Sequence, residues 1–205
     1  MSNPLNQLIF RISRSKELEE IIWTLQNYRF LRGWTSKIIL PSFAQIFISK
    51  IKQSKDQPFS EKILRLSKEQ PLDDKIIENL DKELSKVYDS KLYHKIRSEV
   101  EMRWSKVEKP FFKIVGGISQ CQVRSTYYCY IGIYGGGGSF GRKNQIYVRV
   151  NPKEINDLKY VCYTIMHELI HLMIEKTADN QKWPHRQREG FVDKIIKTTE
   201  LKKLL

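Results

Sequence analysis

The chain has 205 residues, 40% of them hydrophobic and 11% aromatic, enough for a packed core and too many for a disordered tail. Its three cysteines, Cys121, Cys129 and Cys162, are odd in number and contain no Cys-x-x-Cys pair, which argues for reduced thiols and against a disulfide framework or a cysteine metal site. The net charge of +13 raises a nucleic-acid partner, but residues 1–110 carry 21 Lys and Arg against 15 Asp and Glu, and residues 111–205 carry 15 against 8. The excess is therefore spread over both halves, and a generally basic solvated surface is favoured over a dedicated nucleic-acid footprint.

The length allows one large domain or a catalytic domain with a helical extension. Met1-Ser2-Asn3 lacks the basic start of a signal peptide, and the following segment is broken by Asn6, Gln7, Arg11 and Arg14. The apolar stretch Ile38 to Ile51 is interrupted by Pro41, Ser42 and Gln45 and is too short to span a bilayer. A cytoplasmic protein without a membrane segment is expected.

From Met1 to about Pro110 the pattern is helical and charged. Leu18, Ile21, Ile22 and Leu25 recur at helical spacing, and Pro41 is placed to open a helix through Ile51 with Phe43, Ile46, Phe47 and Ile51 on one face. Ser60-Glu61-Lys62 starts a short helix that runs out before Pro71. Asp73 or Asp74 begins the next, carrying Ile77, Leu80, Leu84 and Val87. Ser90 caps another, with Leu92, Ile96, Val100 and Trp104 aligned. No repeat and no chemical motif stands out here, and His94 reads as a surface or partly packed histidine.

Lys109-Pro110 is expected to end the helical region. Phe111 to Val115, Gln122 to Tyr134 and Gln145 to Val150 are rich in Tyr, Phe, Val and Ile and read as strands. Gly135 to Gly138 with Ser139, Phe140 and Gly141 reads as a flexible loop over a cleft. It has no Walker-type lysine and opens no helix, which argues against phosphate binding.

Inside the next apolar run, Tyr160 to Ile174, the sequence His167-Glu168-Leu169-Ile170-His171 reads H-E-x-x-H. On a helix, positions i and i+4 project from one face, so two imidazoles can hold one metal ion while the intervening glutamate takes a proton from a metal-activated water. Two unpaired histidines and a glutamate would be expensive to bury in so apolar a stretch without a metal. Trp183-Pro184 then opens a last helix from about His185 to Lys197, followed by an amphipathic tail with Leu201, Leu204 and Leu205. Within it Glu189 and Asp193 share a face at i and i+4. Glu189 is the favoured third ligand, with Asp193 accepting a hydrogen bond from the far nitrogen of a ligating histidine. His185 is the alternative ligand, or a group that stabilises the developing oxyanion.

His167-Glu168-x-x-His171 followed by Glu189-x-x-x-Asp193 resembles the gluzincins, the thermolysin-like zinc metallopeptidases. The short separation, the preceding strands and the small catalytic portion look most like the minigluzincins. The resemblance covers Phe111 to Leu205. It implies zinc held by His167, His171 and Glu189, Glu168 as general base, Asp193 behind a ligand, and the strand Gln145–Val150 as the edge that pairs with an extended peptide or protein substrate. It also implies that a terminal segment can block the cleft. The fold class that follows is α+β, with a helical N-terminal region (1–108) and a zincin-like catalytic region (109–205). There a small antiparallel or mixed sheet packs on the H-E-x-x-H helix and a glutamate-bearing C-terminal helix. Two rivals stand beside it. With His185 as third ligand the chain is similar to the Spartan/SprT-like DNA–protein crosslink proteases, which would give the basic charge a purpose. Alternatively it is a non-catalytic zinc-binding partner or regulatory module, although a structural site has no use for Glu168.

Overall fold

The computed structural model describes residues 7–28, 31, 38–46, 72–141, 143–155, 158–198 and 200–205. In chain order its elements are β1 (Gln7–Arg11), α1 (Arg14–Gln26), α2 (Asp74–Val87), α3 (Ser90–Trp104), α4 (Glu108–Gly116), β2 (Thr126–Gly132), β3 (Gly138–Gly141), β4 (Gln145–Arg149), α5 (Leu158–Asn180) and α6 (His185–Thr198). Short 3-10 turns lie at Pro152–Glu154 and Glu200–Leu204. The fold is α+β, as expected. The expected helix from Pro41 is seen over residues 42–46, while Phe47 and Ile51 lie outside the described residues, as does the helix expected from Ser60.

The described chain divides into two compact units. One contains β1, Lys91–Gly132 and Gly138–Leu205; the other draws on Ser13–Ser90 and Ile133–Gly137. This grouping places β1 and most of α3 with the sheet, whereas the expected division ran at residue 108.

In the sheet-bearing unit the strand order is β1-β2-β4-β3, with β1, β2 and β4 parallel and β3 antiparallel to β4. Three expectations are corrected here. Gln7–Arg11 belongs to a strand rather than a helix: Leu8 and Phe10 alternate into the core, and its register runs from Gln7 opposite Thr126 to Arg11 opposite Tyr130. Phe111–Val115 is helical rather than extended. Pro110 lies in the first turn of α4, where no backbone N–H has a partner inside the helix, so it opens the element instead of ending it. Phe111, Phe112 and Val115 then share a buried face, with Phe111 edge-on to Trp104 at 5.4 Å and Phe112 stacked on Tyr127 at 5.8 Å. Third, Gly138–Gly141 is a strand, not a loop, and it takes the outer edge. The strand 145–150 expected at the edge is therefore interior, paired on both sides. Left-handed backbone at Lys143 and Asn144 makes the tight turn between β3 and β4. Asn144 ties that turn to β2 through its carbonyl to the Tyr128 N–H (2.9 Å) and its side-chain amide to the Thr126 carbonyl (3.1 Å).

α5 spans 23 residues and is apolar almost all round, with Ile165, Met166, Leu169, Ile170 and Met173 essentially excluded from solvent. Such a helix belongs in the middle of a core, and it packs against β3, β4 and α6. The C-terminal 3-10 turn packs against α4 and α6 with Leu201 buried. Among the described residues no helix is long and apolar enough to cross a membrane.

In the other unit Ser13 caps α1 through the Lys16 N–H and Asp73 caps α2 through the Lys75 N–H. Ile21 and Leu25 pack with Leu80, Leu84, Leu40 and Ala44. Glu17 is fully buried there. Its carboxylate accepts the N–H groups of Ile133 (2.9 Å) and Tyr134 (2.8 Å), and Gly135 pairs with Ile39. Gly135 and Gly137 take positive φ in this segment, which the glycine run permits. Removing the acceptor would strand two part-buried donors. Glu17→Ala is expected to cost about 2–4 kcal/mol, and Glu17→Gln, which keeps a carbonyl acceptor, clearly less; urea unfolding of the two variants beside the wild type measures both.

Candidate metal centre

The helical phase of α5 presents Tyr163, Thr164, His167, Glu168 and His171 over successive turns, and α6 brings Glu189 to meet them. His167 Nε2 and His171 Nε2 lie 3.1 Å apart. Glu189 Oε2 is 3.2 Å from the first and Glu189 Oε1 is 3.1 Å from the second. Four-coordinate ligation with metal–ligand bonds near 2.0–2.1 Å requires donor atoms about 3.3–3.4 Å apart. The observed spacings fall within a few tenths of an ångström of that, so these three residues can hold a metal ion. Two neutral imidazole nitrogens facing each other across 3.1 Å cannot both be acceptors without a cation or a proton between them, and the donor set suits a divalent ion.

Electrostatics support the same arrangement. Burial alone would raise the Glu189 carboxyl, but hydrogen bonds to His167 and His171 outweigh it and hold the group well below the ordinary carboxylate range. Burial lowers both imidazoles. At His167 the Glu189 hydrogen bond and the charges of Glu168, Glu189 and Asp193 outweigh it and raise the pKa, whereas His171, facing His167 and His185, stays below the usual value. Glu168, the residue after His167 on the helix, is buried.

Asp193 lies on the expected side of His167 but does not accept its hydrogen bond: Asp193 Oδ1 is 4.0 Å from His167 Nδ1, which is buried without a hydrogen-bond partner. The Asp193 carboxylate instead accepts the Tyr163 hydroxyl at 3.0 Å and Lys197 Nζ at 2.7 Å. Tyr163 stacks on the His167 ring with centroids 5.9 Å apart, and burial together with the Asp193 contact pushes its hydroxyl up to about 12. His185 stands apart from the trio. Its Nδ1 is 3.7 Å from Glu189 Oε1 and its side chain is 55% exposed, against 3% for His171.

Several residues at the site carried no motif. Phe140 of β3 lies flat on His171, centroids 4.9 Å apart and planes 7° from parallel. Tyr163 and Thr164, each four residues before a motif residue, share its helix face by the spacing that picked out the histidines, and that spacing is the signal that finds them. Nothing in the glycine run marks Phe140. Cys129 and Cys162 are buried with raised thiol pKa values and Cys121 is pushed up to about 11, so none offers a thiolate near neutrality.

Comparison of the chain with protein-family profiles, with curated proteins and with solved structures finds no match in any of the three. The centre is thus defined by its own geometry. Glu189→Ala is expected to weaken metal binding by about a hundredfold or more, whereas His185→Ala should change it by less than about threefold; competition with a chromophoric chelator gives both numbers. Glu189 remains ionised, so as pH falls His167 protonates first and His171 after it. Affinity should decline from near neutrality downward, its slope approaching about two protons per ion released at lower pH, which the same titration repeated from pH 8 to pH 5 checks.

Proposed function

We propose that the chain is a zinc-dependent metallopeptidase of gluzincin type, with His167, His171 and Glu189 as zinc ligands and Glu168 as general base. The observation that carries this reading is the convergence of two histidines and a glutamate at metal-ligand spacing with a second, buried glutamate beside them. Two histidines and one carboxylate leave a fourth position open, the arrangement of catalytic rather than structural zinc. When bound, zinc supplies the Lewis acidity that polarises a scissile carbonyl and makes water a nucleophile at neutral pH.

The remaining steps belong to the chain's own residues. β3 is the last strand of the sheet among the described residues, and an extended peptide or protein substrate adds there as a further strand. Glu168 accepts the proton of the attacking water and returns it to the leaving amine nitrogen. The stacked Phe140 ring keeps water from one face of His171. His185, exposed one turn before Glu189, is the available imidazole for stabilising the developing oxyanion. Because Glu189 and not His185 closes the ligand cluster, the reading as a DNA–protein crosslink protease loses its main support. A cytoplasmic location remains part of the proposal.

Glu168→Gln preserves shape and leaves the ligands in place. It is expected to retain zinc by elemental analysis and to lose peptide cleavage by about 10³-fold, and chelator treatment should abolish the wild-type activity. Cleavage at the wild-type rate by the zinc-loaded variant would remove Glu168 from the mechanism. A zinc-loaded wild type that cuts neither a peptide library nor folded proteins would make the centre a binding site rather than a catalytic one.

A further inference from the structure

Gly138 opens the edge strand β3, yet its backbone is not left-handed; in the run that contains it, positive φ belongs to Gly135 and Gly137. Conformation therefore does not require glycine at 138. Space does. A Cβ at this position would lie 2.6 Å from Glu168 Oε1, 2.6 Å from Thr164 Cγ2 and 3.0 Å from Glu168 Cγ. Contacts that short are repulsive, and because two residues are met at 2.6 Å, more than one group would have to move. Thr164 is the least able to. Its hydroxyl donates to the Tyr160 carbonyl one turn back at 2.9 Å, which fixes the rotamer of a β-branched side chain on a helix and so fixes its methyl. The strand is held by its antiparallel pairing to β4, with Gly138 opposite Val148. Of these groups the Glu168 carboxylate, at the far end of a flexible side chain, gives way most readily.

We infer that Gly138 and Thr164 are positioning residues for Glu168: the side chain missing from β3 and the locked Thr164 methyl form a slot that sets where the Glu168 carboxylate stands. The inference rests on the metallopeptidase reading for its functional consequence, but the slot itself is a statement about geometry. Gly138 is exposed while Glu168 is buried, so the slot lies where the strand meets the buried carboxylate. The nearest atoms that a methyl placed there would meet belong to Glu168 and Thr164, neither of them a metal ligand in this reading. General-base catalysis is steep in position, with a misplacement of about 1 Å costing about 10²-fold in rate.

The test uses the zinc-loaded full chain as wild type, Gly138→Ala, Thr164→Ser and the double variant. Gly116→Ala serves as control, since a Cβ there meets nothing within 4 Å. Zinc content, kcat and KM on a cleaved peptide, and the position of the Glu168 carboxylate in crystal structures are the readouts. Gly138→Ala is expected to keep its zinc, to hold KM within about twofold and to lose kcat by about 10²-fold, with the carboxylate displaced. Thr164→Ser keeps the hydroxyl bond and removes the methyl, so the double variant should recover about tenfold of that loss while remaining about tenfold below wild type. Gly116→Ala should match wild type throughout. A Gly138→Ala protein with wild-type kcat and an unmoved carboxylate overturns the inference. So does a loss that Thr164→Ser fails to relieve, which would point to general damage. Should Gly138→Ala not fold, wild-type kcat in the double variant overturns it equally. If zinc-loaded wild type cleaves nothing, the peptidase reading falls alone, and displacement of the carboxylate still decides whether the slot exists.

Discussion

The constraint on which the sheet-bearing unit depends is the burial of polar groups on a helix that is otherwise apolar. α5 runs through the core with His171 and Glu168 almost excluded from water. Imidazoles and carboxylates in that position lose their hydration and must recover it from partners. Glu189 supplies the partner, contacting both histidine Nε2 atoms at 3.1–3.2 Å. The docking of α6 is therefore fixed in rotation as well as in distance: a helix phase that buried Val192 and Ile196 without turning Glu189 inward would leave the histidine pair uncompensated. Packing and chemistry here use the same contact.

The sheet answers to the same helix. β3 crosses α5 so closely that Gly138 leaves no room for a side chain over Glu168 and Thr164, while two residues on Phe140 covers His171 with a ring. A strand of four residues thus meets the site at two points and presents its outer edge beside them. The parallel strands behind it serve to hold that edge in register, with β4 paired on both sides.

Much of the site was legible in the sequence because its spacing is helical. His167 and His171, and Glu189 with Asp193, are i and i+4 pairs, and that periodicity follows from local geometry alone. The hydrogen bond expected between Asp193 and His167 is not made: Asp193 stands 4.0 Å from His167 Nδ1 and accepts from Tyr163 and Lys197, a placement visible only once α5 and α6 face each other. Elements set by tertiary contacts were the ones misread. Phe111–Val115 is a short apolar run whose propensity suits a strand, and its packing against Trp104 and Tyr127 decides for a helix. Leu8 and Phe10 needed the distant β2 to make β1 a strand at all. β3 hid in a glycine run because glycine carries no strand signal, and misplacing it moved the sheet edge onto β4.

That poverty of strand signal bears on how the protein behaves in a crowd. A free sheet edge is a template on which other chains can polymerise, and most proteins blunt theirs with charge, proline or a bulge. β3 is only four residues long, with glycine at both ends, Gly138 and Gly141, and Phe140 as its one large side chain. A template so short limits how far another chain could pair along it.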